Sequence, residues 1–146
     1  MKPNITTIIL SSCGLKIVAY IGVFKCLINT KNIDIDLIDT YISCSGGSII
    51  ALLLIIFKSL DLFELFVEKC DLKKLINLNE LDNLFENYGL FSTNNIIKIF
   101  EIIFLKKFNN KHITFLELFN KTNKEFIVKV YNLTLQKEEY ISYKSH

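Results

Sequence analysis

Apolar residues follow two rhythms along the chain. Ile5–Ser11 and Leu37–Ile42 are short, β-branched and nearly continuous. The first predicts a strand covered on both faces, and together they predict parallel strands. Lys16–Asn29 places apolar residues at 17, 20, 21, 24, 27 and 28, the stripe of a helix. Ser48–Lys58 is a second helical run, apolar almost throughout. Strand, helix, strand, helix predicts a βαβ unit. Helices are next expected at Ser59–Lys69, with Asp61 in its first turn, and at Leu78–Tyr88, closed by Gly89. Asn94–Lys107 carries Ile96, Ile97, Phe100, Ile103 and Phe104 on one side. Thr114 and Glu117 have capping-box spacing, opening a short helix to about Asn120. Glu125–Leu135 alternates, Gln136-Lys137-Glu138 turns, and Glu139–Tyr143 pairs back as a hairpin. No repeat, linker or low-complexity stretch breaks the pattern, so residues 1–146 read as a single domain.

Only small residues separate the second strand from its helix: Ser43-Cys44-Ser45-Gly46-Gly47. A strand, a turn too tight for large side chains and an immediate helix make the geometry of a nucleophile elbow. Ser45 at the apex is the candidate nucleophile. Ser43, Gly46 and Gly47 are the elbow residues whose smallness lets strand and helix approach. The first helical turn aims free N–H groups at the same spot, favouring negative charge. The pattern is S-x-S-G-G rather than G-x-S-x-G. A plainer reading gives Ser45 to helix capping in an ordinary tight turn.

An ester carbonyl becomes negative as a serine attacks it, and something must donate hydrogen bonds to it. The loop Ser11–Lys16 follows the first strand and precedes a helix. It lies beside Ser45 if the two strands are neighbours, at the carboxyl ends where such sheets place their sites. Cys13, Gly14 and Leu15 are therefore the candidate oxyanion-hole donors.

Composition trims the alternatives. Half the chain is apolar (51%) and 22% is charged, which suits a folded domain with a core. All 17 basic residues are lysine, and the net charge is only +2. Spread lysines without an arginine fork make no case for nucleic acid. The longest apolar run, Ile49–Phe57, is too short to span a bilayer. The start Met-Lys-Pro-Asn lacks a signal-peptide layout, so a cytoplasmic setting is expected. Cys13, Cys26, Cys44 and Cys70 form no C-x-x-C pair and read as reduced, buried thiols. Cys44 is an alternative nucleophile, but a residue beside an elbow apex usually points away. His112 and His146 are too distant in sequence for a zinc site, so neither metal nor cofactor is expected. Lys16 reads as a solvated surface lysine.

The segment Leu10-Ser11-Ser12-Cys13-Gly14-Leu15-Lys16-Ile17-Val18-Ala19-Tyr20-Ile21-Gly22-Val23-Phe24 resembles the opening of patatin-like phospholipases. Those begin with a glycine-rich G-x-G-x-[K/R]-G loop feeding a helix that often reads A-Y-x-G-V. Ile42–Leu54 resembles their nucleophile elbow and following helix. Tyr88-Gly89-Leu90-Phe91, Thr114-Phe115-Leu116-Glu117-Leu118 and Phe126–Thr134 are similar to later landmarks in the same order. The resemblance implies a three-layer α/β/α fold, here truncated, with parallel strands and a C-terminal hairpin. It also implies a Ser–Asp dyad acting on lipid or phospholipid acyl esters, with membrane-surface association left open. Ser45 matches the nucleophile, Gly14 a loop glycine, Lys16 the basic position and Gly47 the second elbow glycine. Ser12, Cys13 and Ile17 stand where the family tends to have glycine, and Ser43 replaces the first elbow glycine. The family's dyad Asp sits in an Asp-Gly motif beyond the hairpin, and no Asp-Gly occurs in this chain. Asp34, Asp36, Asp39, Asp61, Asp71 and Asp82 match no such position. Two expectations follow: an acyl hydrolase completed by a C-terminal segment or a second chain, or a catalytically inactive lipid- or protein-binding relative.

Overall fold

The computed structural model describes residues 4–57 and 93–145. The expected helices at 59–69 and 78–88, and with them Asp61, Cys70, Asp71, Asp82 and Tyr88–Phe91, lie outside the described residues. The chain groups into two compact units, Met1–Glu64 with Thr114–His146, and Leu65–Ile113.

The first unit holds a sheet whose described strands are β1 (Thr7–Leu10), β2 (Thr40–Cys44), β3 (Glu125–Asn132) and β4 (Lys137–Ile141), in that spatial order. β1, β2 and β3 run parallel, and β4 returns antiparallel to β3. This parallel-dominated sheet with its helices is the mixed α/β architecture that the hydrophobic rhythm predicts. Register aligns Ile8 with Tyr41 and Phe126, and Leu10 with Ser43 and Val128. Ile8, Leu10, Tyr41, Ser43 and Phe126 are all buried, so these two rows form the core face of the sheet. Burial pushes the Tyr41 hydroxyl pKa well up, and the Asp36 charge adds to it.

Helix α1 (Ile17–Asn29) follows a 3₁₀ turn at Gly14–Lys16 and connects β1 to β2. Of its expected stripe, Phe24 is buried and Tyr20, Ile21, Leu27 and Ile28 are half-buried. Helix α2 (Gly46–Phe57) buries Ile50, Ala51, Leu53, Leu54, Ile55 and Ile56. A helix apolar on nearly every side belongs in the interior, where each such side chain contributes about 1.5–3 kcal/mol. Helix α4 (Phe115–Thr122) opens on the expected capping box. Glu117 N–H donates to Thr114 Oγ1 (3.1 Å) and Thr114 N–H donates to Glu117 Oε2 (2.8 Å). Its rings pack outward from the helix, Phe115 on Phe126 (5.5 Å) and Phe119 on Tyr143 (4.1 Å). The second unit contributes helix α3 (Asn94–Phe108), along which Phe100, Phe104 and Phe108 follow one another in ring contact. Ile97 is half-exposed and falls off the expected apolar side.

Several boundaries move, for local reasons. β1 is covered on one face only: its pattern alternates, and Ile9 is 73% exposed. The second strand begins at Thr40, not Leu37. Asp34 accepts from Asp36 N–H and winds Ile35–Leu37 into a 3₁₀ turn that leads into buried Ile38. The hairpin turn is Leu133–Gln136, with β4 already under way at Lys137. There Asn132 Oδ1 accepts from Leu135 N–H (3.0 Å) and Gln136 takes φ 49°. That asparagine side chain closes the turn earlier than the polar triplet Gln136-Lys137-Glu138 suggested. Cys26 is exposed rather than buried, because it lies off the apolar stripe of α1.

Candidate functional site

Helix α2 starts at Gly46, two residues earlier than the apolar run indicates, so strand and helix are joined by Ser45 alone. The chain can reverse so sharply only by a left-handed step. Ser45 takes it, with φ 52°. For a residue with a Cβ this conformation costs about 1–2 kcal/mol and persists only where the surroundings impose it. They do: Ser48 N–H donates to the Ser45 carbonyl (2.8 Å), which locks the first turn of α2. The Ser45 side chain is exposed at the carboxyl end of β2. Ser43, two residues earlier in β2, lies in the core row of the sheet. It is 2% exposed, and its hydroxyl donates to the Ile127 carbonyl across the sheet (3.2 Å).

Parallel pairing puts the end of β1 beside the end of β2, with Leu10 level with Ser43. The loop Ser11–Lys16 and the Ser45 turn therefore share one end of the sheet. They also touch. A Cβ on Gly47 would stand 2.6 Å from the carbonyl oxygens of both Leu10 and Ser11, and one on Gly46 would stand 2.9 Å from Cys13 Sγ. The Gly14 backbone nitrogen is 3.5 Å from that same Gly46 Cβ position. Gly14 has φ 51°, the one loop position where a glycine's freedom is used. Lys16 N–H closes the 3₁₀ turn by donating to the Cys13 carbonyl (3.0 Å), so that amide is committed within the loop.

The site residues expected from sequence are thus brought to one place, with different surroundings. Ser45 is exposed, Gly46 and Gly47 form the contact with the loop, and Ser43 is buried beneath. Cys13 faces Gly46, and burial raises its thiol pKa. Leu15 belongs to the 3₁₀ turn, its side chain outside the described set, as is that of Ile17. Lys16 is exposed and Cys44 is half-buried. Two features were not foreseen. Tyr20 OH donates to the Ser11 carbonyl (3.1 Å) and lies 3.2 Å from Ser11 Oγ, fastening α1 to the start of the loop. Ser48 Oγ is buried without a hydrogen-bond partner among the described residues, one turn into α2 from Ser45.

The described aspartates lie elsewhere. Asp39 immediately precedes β2 and Ser45 follows it, so the two stand about 20 Å apart at ~3.3 Å per residue. Asp34 caps the 3₁₀ turn further back and Asp36 lies within it, its carbonyl accepting from Lys124 Nζ (2.7 Å). Glu125 pairs with Thr40 at that same far end and binds Lys144 (2.9 Å). Among the described residues no three His, Cys, Asp or Glu side chains cluster to hold a metal ion, and no helix is long and apolar enough to cross a membrane.

What the arrangement offers is an exposed hydroxyl on a strained turn, at a helix N-terminus, against a second loop held close by two glycines. Residues 8–143 match the family described as patatin-like phospholipase. The chain is also 35% identical over 151 aligned positions to a protein of Invertebrate iridescent virus 6 named "Probable lipid hydrolase 463L". That alignment takes in 99% of this chain and 50% of the viral protein, so the chain spans about half its relative's length.

Proposed function

Because the chain belongs to the patatin-like phospholipase family, we propose that it is the serine-bearing part of a lipid acyl hydrolase, with Ser45 as nucleophile. The observation that carries this reading is Ser45 itself: exposed, at φ 52°, between β2 and α2, with the Cys13–Lys16 loop packed on the next residue. The Ser45 hydroxyl attacks the acyl carbonyl of a lipid or phospholipid ester. N–H groups of Cys13, Gly14 and Leu15 take the oxyanion, assisted by the N-terminus of α2. One well-placed donor of this kind lowers the barrier by roughly 3–4 kcal/mol.

The Ser45 proton needs an acceptor; the described aspartates stand at the far end of the strands, and Glu138 and Glu139, on the hairpin at the Ser45 end, are paired with Lys129 and Lys137. An Asp on a further segment or a second chain supplies it in this reading, which makes residues 1–146 one partial domain of a larger active unit. A serine without its base reacts slowly. The chain alone is therefore expected to acylate slowly as well as to turn over slowly. No metal or cofactor takes part, and the setting is cytoplasmic with contact to a lipid surface.

A second reading is a non-catalytic lipid- or protein-binding relative on the same fold. Ser12, Cys13 and Ile17 in place of loop glycines, together with the missing Asp-Gly, favour it. Exposure of the chain to a short-chain p-nitrophenyl acyl ester separates the two. The hydrolase reading expects an acyl adduct on the Ser45 peptide that is lost in Ser45→Ala. Equal ester release by both proteins, with no adduct, rejects it.

A further inference from the structure

We infer that the tip of the β3–β4 hairpin is a lipid-surface contact that seats the Ser45 end of the sheet on a phospholipid bilayer; this rests on the lipid-ester reading above.

The turn carries two leucines where turns ordinarily carry polar residues or glycine. Leu133 is 82% exposed and Leu135 58%, and Tyr131, just before them on β3, is 58% exposed. Turn geometry does not call for leucine here. The Asn132 side chain closes the turn on Leu135 N–H, and Gln136 takes the left-handed position. The two side chains stand on a convex tip, free of any described neighbour that would cover them.

The tip is placed at the working end of the sheet. Lys129 is level with Cys44, the residue before Ser45, and β3 continues to Asn132. The hairpin thus overshoots the Ser45 turn by about 10 Å at ~3.3 Å per residue. Apolar groups of interfacial elements sit about 5–10 Å deep in the headgroup region. A tip seated at that depth brings Ser45 level with the bilayer surface, where an acyl ester is found.

Chemistry along the hairpin follows the depth profile of such a surface. Leucines come first, then Lys137, level with Asn132, then Tyr131, level with Glu138 and at the depth that interfacial aromatics favour. The charges cancel within the hairpin: Lys129 binds Glu138 (2.7 Å) and Lys137 binds Glu139 (3.4 Å). A locally neutral, apolar tip matches a zwitterionic headgroup layer better than an anionic patch. A protein partner would instead have to offer a pocket for both leucines.

The chain contains no tryptophan, so a single introduced one reports cleanly. Leu133→Trp and Leu37→Trp, the latter in the 3₁₀ turn before β2 at the far end of the sheet, are mixed with phosphatidylcholine vesicles. The inference predicts a blue shift and quenching by brominated acyl chains for Leu133→Trp only. It also predicts that Leu133→Asp/Leu135→Asp lowers vesicle co-sedimentation by about tenfold or more, since each lost leucine is worth about a factor of ten. No shift at position 133, equal shifts at both positions, or a shift that tracks self-association in sedimentation velocity without vesicles overturns it. If the double variant misfolds by circular dichroism, the tryptophan pair decides. A tip that binds vesicles while Ser45 stays inert to the soluble ester sinks the hydrolase reading and leaves the contact standing. The reverse result sinks only the contact.

Discussion

Gly47 and Ser11 meet backbone to backbone: a Cβ on Gly47 would stand 2.6 Å from the Ser11 carbonyl oxygen. This single approach joins the two loops of the candidate site. It holds because β1 and β2 are parallel neighbours, because α2 starts at once after Ser45, and because position 47 has no side chain.

Gly47→Ala tests that joint. The clash is with backbone, which no rotamer change relieves, so α2 or the Ser11 loop must shift. The expected cost is about 1–3 kcal/mol, read from urea unfolding, as for other overpacked positions. Reactivity at Ser45 should fall with it, because the loop is displaced from the serine. An alanine variant of unchanged stability would mean that the two loops are less tightly joined than the geometry indicates.

The strain at Ser45 makes a separate prediction. Its φ of 52° suits glycine and penalises any residue with a Cβ. Ser45→Gly should be more stable than Ser45→Ala by about 1 kcal/mol, the difference in left-handed cost less the glycine's chain entropy. Both variants lack the hydroxyl, so a pair of melting curves isolates the backbone effect. Equal stability of the two would show a relaxed turn.

Acid titration should reveal the capping box of α4. The Thr114 N–H, and after it the Thr114 hydroxyl, hold the Glu117 carboxyl below its ordinary pKa. A carboxyl depressed in the folded state stabilises it above the unfolded pKa, and loses that contribution as pH falls through the folded value. Wild type should therefore outlast Glu117→Gln near neutral pH, and the gap should close on titration from about pH 7 to about pH 3. A gap that stays constant across that range would assign the effect to something other than the charge.

The strand–helix alternation and the parallel pairing were legible from hydrophobic rhythm, and the capping box from the Thr114–Glu117 spacing, since each depends on short-range pattern. So was the meeting of the Ser11–Lys16 loop with Ser45, because parallel neighbours must bring their carboxyl ends together. Side-chain ties across elements were not legible. Tyr20 lay within a recognised A-Y-x-G-V stretch, but nothing in the spacing says that its hydroxyl reaches back to Ser11. Ile9 read as buried because a β-branched run does not reveal which face lacks cover. The hairpin turn was misplaced because the polar triplet Gln136-Lys137-Glu138 outweighed the quieter signal of Asn132, whose side chain closes the loop.

Fluorophosphonate labelling of the whole chain, with the modified residue located by tandem mass spectrometry, tests the central claim most directly. The account predicts one adduct, on Ser45, absent from Ser45→Ala and slowed in Gly47→Ala. A folded sample that takes no label, or takes it at Cys44 or another serine instead, would contradict it.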